Sequence, residues 1–242
     1  MPFSNAYWIT PQDEIDTPVF EKSFTLSKKV KKATLFITSK GVYSAELNGN
    51  KIGNFILAPG WTAYKKRRQY QEYNVTDMID SKNILTITVG CGWERGRFFL
   101  MRNNDISFAP AGLICSLIVE YEDNKKDEII TDESWNCFQG SVLKSDIYDG
   151  EVYNAYSSPS VPKNAVLFDE AKDNLIPQEG EYVTEHERLS PVSIFDAPNG
   201  EKIIDFGQNI TGYPEIHITA KCGDIVDFSF GEVLDKDGNF YN

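Results

Sequence analysis

Three short clusters in this chain concentrate side chains that can grip or cut a polar, ring-shaped ligand. The first, Trp61-Thr62-Ala63-Tyr64-Lys65-Lys66-Arg67-Arg68-Gln69-Tyr70, follows Ala58-Pro59-Gly60 and interleaves aromatic rings with cations. Indole and phenol rings stack on the C–H face of a sugar, while guanidinium forks take its vicinal hydroxyls. The plainer reading is a loop that packs its own aromatics and pairs Arg67 or Arg68 with a carboxylate. The second cluster is Cys91-Gly92-Trp93-Glu94-Arg95-Gly96-Arg97. It sits where an apolar strand pattern ends, a place that commonly carries function. Trp93, Arg95 and Arg97 fit a sugar or interdomain contact as well as they fit a structural role. The third, Ser145-Asp146-Ile147-Tyr148-Asp149-Gly150-Glu151-Val152-Tyr153-Asn154-Ala155, places Asp149 and Glu151 around a glycine. Glycosidic cleavage needs two carboxyl groups roughly 5–10 Å apart. The chain has 36 acidic residues, so nearness in sequence is a weak sign, and a carboxylate that orders a domain junction is the simpler role.

Other chemistry has little to stand on. No phosphate-binding glycine loop, zinc-protease motif or serine nucleophile elbow occurs, so no cofactor is expected. The two histidines, His186 and His217, lack metal-spaced partners. Asp235-Lys236-Asp237-Gly238-Asn239 reads as a β-turn, because it lacks the flanking helices and the twelfth-position glutamate of a calcium loop. No metal site is assigned.

Strands must position these clusters. Alternating or β-branched runs at 19–26, 33–38, 42–48, 83–90, 112–121 and 127–132 predict an antiparallel β-sandwich with almost no helix. Asn48-Gly49-Asn50 predicts a tight hairpin, and Glu122–Lys126 another turn. One helical turn is expected near Asp77–Ser81. The Ser/Pro-rich stretch 157–164 is the best boundary between a domain at 1–158 and a second at 159–242. Beyond it, runs at 182–189, 192–197, 201–207, 213–220 and 224–234 resume the strand pattern. Five strands are few for a closed sandwich, so the second domain is expected to be incomplete, with its remainder lying C-terminal. A net charge of −12 disfavours nucleic acid and anionic membranes and suits a neutral ligand. The opening MPFSNAYWIT has no signal-peptide pattern, and no run approaches a membrane span. Cys91, Cys115, Cys137 and Cys222 are therefore expected as reduced thiols in the cytoplasm.

The stretches LNGNKIGNFILAPGWTAYKKRRQYQEYNVTDMI (47–79), VGCGWERGR (89–97), SDIYDGEVYNA (145–155), IIDFGQNITGYPEI (203–216) and GEVLDKDGNFY (231–241) resemble the N-terminal region of bacterial α-L-rhamnosidases, the inverting enzymes of glycoside hydrolase family 78. The resemblance implies a jelly-roll domain related to galactose-binding modules, then a second sandwich that joins it to an (α/α)₆ barrel. It places the general acid and base on that barrel, so no catalytic residue is carried onto this chain. The implied partners are a rhamnose-containing saccharide and the barrel. Trp61, Tyr64, Arg67, Trp93, Arg95, Arg97, Asp149 and Glu151 remain as the expected substrate-binding or docking residues. Glu94 stands where the tryptophan–glycine motif often continues with an aromatic, which favours docking over direct sugar contact. A self-sufficient carbohydrate-binding module, or an enzyme using Asp149 and Glu151, are the alternatives.

Overall fold

A computed structural model describes residues 2–96, 110–221 and 224–241. The chain divides into two compact units, Met1–Thr184 and Glu185–Asn242. In the first, β1 (Ile9–Thr10), β2 (Pro18–Thr25), β3 (Val30–Lys40), β4 (Val42–Leu47) and β5 (Asn50–Lys51) precede β6 (Arg68–Asn74). A 3₁₀ turn at Thr76–Met78 leads to β7 (Lys82–Gly90), then β8 (Gly112–Tyr121), β9 (Lys126–Ile130) and β10 (Asn136–Gln139). The hairpin strands β11 (Val142–Asp146) and β12 (Gly150–Tyr153) are followed by the short strands β13 (Lys163–Asn164), β14 (Val166–Leu167) and β15 (Leu175–Pro177).

These strands build a sandwich of a seven-stranded sheet, ordered β14-β1-β8-β3-β6-β15 with β9 beside β8, and a six-stranded sheet, ordered β13-β10-β2-β7-β4-β5. All of their ladders are antiparallel except β6 with β15. The period-two pattern explains the layering. Ala33, Leu35 and Ile37 of β3 and Leu85, Ile87 and Val89 of β7 project into one core, which also holds Phe20, Leu47 and Trp135. The run GLICSLIVEY is mostly apolar, and buried on consecutive residues from Gly112 to Leu117, because β8 is covered on both faces. Leu113, Cys115, Leu117 and Val119 join that core, while Ile114 packs with Phe3, Ala6 and Trp8 on the other side. The predicted hairpin is present: Asn48 and Gly49 take φ of 55° and 76°, and Leu47 pairs with Asn50. Cys91, Cys115 and Cys137 are buried free thiols. Burial pushes the Cys115 thiol well above its ordinary range and that of Cys137 up to about 12. Cys222 lies outside the described residues.

The division between units falls beyond the Ser/Pro-rich stretch. Residues 159–184, expected in the second domain, pack on the first. Ser160 bonds Gln139 through backbone and side chain, β13 pairs with β10, β14 with β1, and β15 with β6. Tyr182 stacks on Phe55 with ring centroids 4.7 Å apart. The prolines interrupt the ladder without ending the sandwich, because the short strands around them still find edges to pair with. Trypsin is therefore expected to cut first after the exposed Arg188, and not at Lys163, which is held in β13. Mass spectrometry of the first fragments checks this; an initial cut at Lys163 would return the boundary to the linker.

The second unit has two hairpins, β16 (Ser193–Asp196) with β17 (Lys202–Asp205) and β18 (Val233–Leu234) with β19 (Phe240–Tyr241). The runs at 182–189 and 213–220 form no ladder, and 224–234 contributes only Val233–Leu234. Their alternation is real, but among the described residues no second layer buries it. Ile194, Ile225, Phe230 and Val233 are 59%, 84%, 66% and 59% exposed, and Ala197 is the one buried hydrophobic residue among the unit's described residues.

A stacked tryptophan pair as the candidate recognition site

The first two clusters meet at one end of the first unit. The loop after β5 is tied back by Tyr43, whose N–H donates to the Ala58 carbonyl at 2.8 Å. Within it, Gly60 takes a φ of 84°, the Tyr64 hydroxyl donates to the Gly60 carbonyl at 3.0 Å, and the Thr62 hydroxyl donates to the Arg67 carbonyl at 2.7 Å. These bonds close the loop on itself and leave Trp61 at its exposed edge. On the other side, β7 ends at Gly90, and the Cys91 N–H donates to the Ser145 carbonyl at 2.8 Å. The Gly92 N–H donates to the Arg95 carbonyl at 2.6 Å, which folds Trp93 and Glu94 into a tight loop. Trp61 and Trp93 then lie nearly parallel, with ring centroids 6.4 Å apart and planes 10° from each other. Trp61 is 62% exposed.

Arg68 fixes this arrangement from below. It opens β6, is 1% exposed, and lies between the rings of Trp8 and Tyr64, each centroid 5.3 Å from its guanidinium carbon. Nη1 donates to the Ser39 carbonyl at 3.0 Å, and both terminal nitrogens grip Glu94, Nη2 to Oε1 at 2.5 Å. Delocalised charge and a rigid fork allow a guanidinium both to stack and to pair in this way. Burial, with the Glu94 carboxylate nearby, pushes the Tyr64 phenol well above its ordinary range. Glu94 thus fills no aromatic position: its carboxylate anchors the loop, and Trp61 supplies the second ring.

The expected site residues divide accordingly. Trp61, Trp93 and Tyr64 come together. Arg67 forms an exposed ion pair with Glu179 at 3.3 Å, which contributes little to stability. Arg95 is not a surface residue, contrary to expectation. It is 7% exposed, donates to the Asp16 carbonyl at 2.7 Å and reaches the Cys91 sulfur at 3.2 Å. The backbone carbonyls of Ile15 and Asp16, ahead of β2, take its donors. Arg97 lies outside the described residues. The third cluster is the β11–β12 hairpin, rooted beside the second through the Cys91–Ser145 bond. Its turn is ordered by Asp146, which accepts from the N–H groups of Tyr148 and Asp149 at 2.8 and 3.0 Å. Asp149 pairs with Lys144 at 3.4 Å, and Glu151 is exposed on β12. Both carboxylates stand at the exposed surface of the hairpin. Sequence reasoning named Arg68 only as a possible ion-pair partner and missed Trp8. The signal was the start of a strand within KKRRQYQEYN, where only the last of four cations enters the alternation.

The family model described as the α-L-rhamnosidase N-terminal domain matches residues 28–186. The chain belongs to that family. The model for the bacterial α-L-rhamnosidase concanavalin-like domain matches residues 195–242, so the gap between the two matches, 187–194, falls just beyond the division after Thr184. An α-L-rhamnosidase of Formosa agariphila is 33% identical over 91% of this chain and 25% of its own length. One from Streptomyces avermitilis is 32% identical over 88% of this chain and 22% of its own. The crystal structure of the Aspergillus terreus α-L-rhamnosidase superposes with a TM-score of 0.79 at 27% identity, covering 86% of this chain and 26% of that one. The chain spans about a quarter of the length of these relatives. Its all-β architecture is that of an α-L-rhamnosidase N-terminal region.

Proposed function

We propose that this chain serves as the non-catalytic front of an inverting bacterial α-L-rhamnosidase acting on terminal α-L-rhamnosides, contributing substrate recognition and interdomain docking. The observation that carries the reading is the match of residues 28–186 to the family's N-terminal domain in a chain that spans a quarter of its relatives. The exposed Asp149 and Glu151 agree with it, since neither has the desolvated setting that glycosidic acid–base chemistry uses. An (α/α)₆ barrel supplies the reaction, and the apolar strand residues of the second unit provide surface for a docking partner. Three buried free thiols suit a reducing cytoplasm. No helix among the described residues is long and apolar enough to cross a membrane.

Incubated with an aryl α-L-rhamnoside, the chain is expected to release the aryl group no faster than buffer does. Turnover that Glu151→Gln abolishes would overturn the assignment and make the hairpin carboxylates catalytic.

A further inference from the structure

We infer that residues 180–184 form a releasable clasp on the loop at 53–60, and that its release lets a strained segment lift from the cavity beneath it. The strain sits in Leu57, whose φ is 60°. Asn48 and Asn124, the other non-glycine residues with positive φ among the described residues, are asparagines between strands. Asparagine tolerates this region and leucine does not. Such a conformation persists only where its surroundings impose it. Three backbone bonds do so here. The Gly60 N–H donates to the Leu57 carbonyl at 3.0 Å, the Tyr43 N–H to the Ala58 carbonyl at 2.8 Å, and the Ile56 N–H to the Val183 carbonyl at 2.7 Å. The first is local, and the second ties the loop to β4. Only the third comes from a segment that can leave.

Packing under the loop is incomplete. Phe55, Ile56 and Leu57 share with Tyr43, Ala45 and Tyr73 the lining of a cavity of about 120 Å³, and a void forfeits contacts that would hold the loop down. The clasp supplies an attachment from elsewhere: Tyr182 lies flat on Phe55, ring centroids 4.7 Å apart and planes 2° from each other. Its own hold is narrow. The chain is firmly anchored as far as Glu179. β15 pairs with β6, the Gln178 N–H donates to the Tyr70 carbonyl at 3.0 Å, and the Gln178 side chain accepts from Gln71 at 2.8 Å. The Glu179 N–H donates to Gln69 Oε1 at 2.7 Å. From Gly180 to Thr184 no strand forms, and Gly180, Glu181 and Val183 are exposed. A segment held by one ring and one backbone bond opens locally well before a sandwich unfolds. Thr184 is the last residue of the first unit, so a pull on the chain beyond it meets this segment first. The loop it holds runs directly into the cluster at 61–70. The clasp thus links the chain leaving the unit to the loop that carries Trp61 and Tyr64.

The test is hydrogen–deuterium exchange of the full chain, resolved into peptides by mass spectrometry. In Tyr182→Ala, exchange at 53–60 is expected to rise about tenfold, as the loss of one stacked ring pair allows. The peptides of β3 and β7 should keep their rates. Leu57→Gly removes the strain, because glycine adopts this φ freely, and is expected to slow exchange at 53–60 below that of the unsubstituted chain. In a loop that is merely packed, the same glycine would speed it. Should Tyr182→Ala fail to fold, Leu57→Gly carries the test by itself. Unchanged exchange at 53–60 in Tyr182→Ala, a rise shared equally by β3 and β7, or faster exchange of the loop in Leu57→Gly overturns the clasp. None of these results bears on the non-catalytic assignment, which only turnover by the chain would overturn.

Discussion

Arg68→Ala is expected to lower the unfolding free energy of the first unit by about 3–5 kcal/mol, the usual cost of removing one partner from a buried ion pair. Three losses act together. Glu94, with a side chain only 15% exposed, is left facing a void where its cation stood. The Ser39 carbonyl loses its donor, and the Trp8 and Tyr64 rings lose the planar group between them. Because a buried pair costs desolvation as well as giving attraction, Arg68→Met combined with Glu94→Gln should recover much of the loss. Urea unfolding of the single and double variants measures this. An Arg68→Ala cost below about 1 kcal/mol would mean that water reaches Glu94 freely, and the pair would then have no hold on the loop.

Gly41→Ala is expected to destabilise the same unit by about 3 kcal/mol or more, through backbone strain and a clash that cannot relax. Gly41 is the single residue between β3 and β4, and carries the chain from one sheet of the sandwich to the other. Its φ is 113°, and an added Cβ would stand 2.2 Å from the Gly90 carbonyl oxygen. That oxygen belongs to β7, paired at Val42↔Gly90, and cannot swing aside as a flexible side chain could. Relief would require moving the end of β7, from which the loop carrying Trp93 departs. The variant should therefore lose stability and also disturb the tryptophan pair, which urea unfolding and near-ultraviolet circular dichroism report separately. By contrast Gly49→Ala, where nothing lies within 4 Å of the added carbon, should show only the smaller cost of its positive φ. Equal effects at both glycines would refute the clash.

How much of this could be read beforehand depends on the range of the interaction. The Asn48-Gly49 hairpin was legible because a two-residue turn is decided by the residues in it. The strands β2, β3, β4, β7 and β8 were legible because alternating or β-branched apolar runs are written in consecutive residues. The boundary at 184 was not. Its cause is the pairing of β13, β14 and β15 with strands far away in sequence, and a proline-rich composition says nothing about distant edges. In the second unit the same alternation formed few ladders, since a strand pattern states which face wants burial without saying what will cover it.

The candidate site divides in the same way. Residue types alone marked Trp61, Tyr64 and Trp93 as rings able to stack, and put both clusters in loops leaving strands. Which arginine stays on the surface was decided only by the fold. Arg67, Arg68 and Arg95 are alike in chemistry, yet Arg67 meets solvent, Arg68 is sandwiched between rings, and Arg95 turns inward to backbone carbonyls. The sequence by itself determined an all-β chain with aromatic and cationic loops, because local alternation and turn chemistry need no distant partner. The stacked pair, its buried anchor and the extent of the first unit belong to tertiary structure. Each depends on groups tens of residues apart, and their attraction exists only once the two sheets have closed.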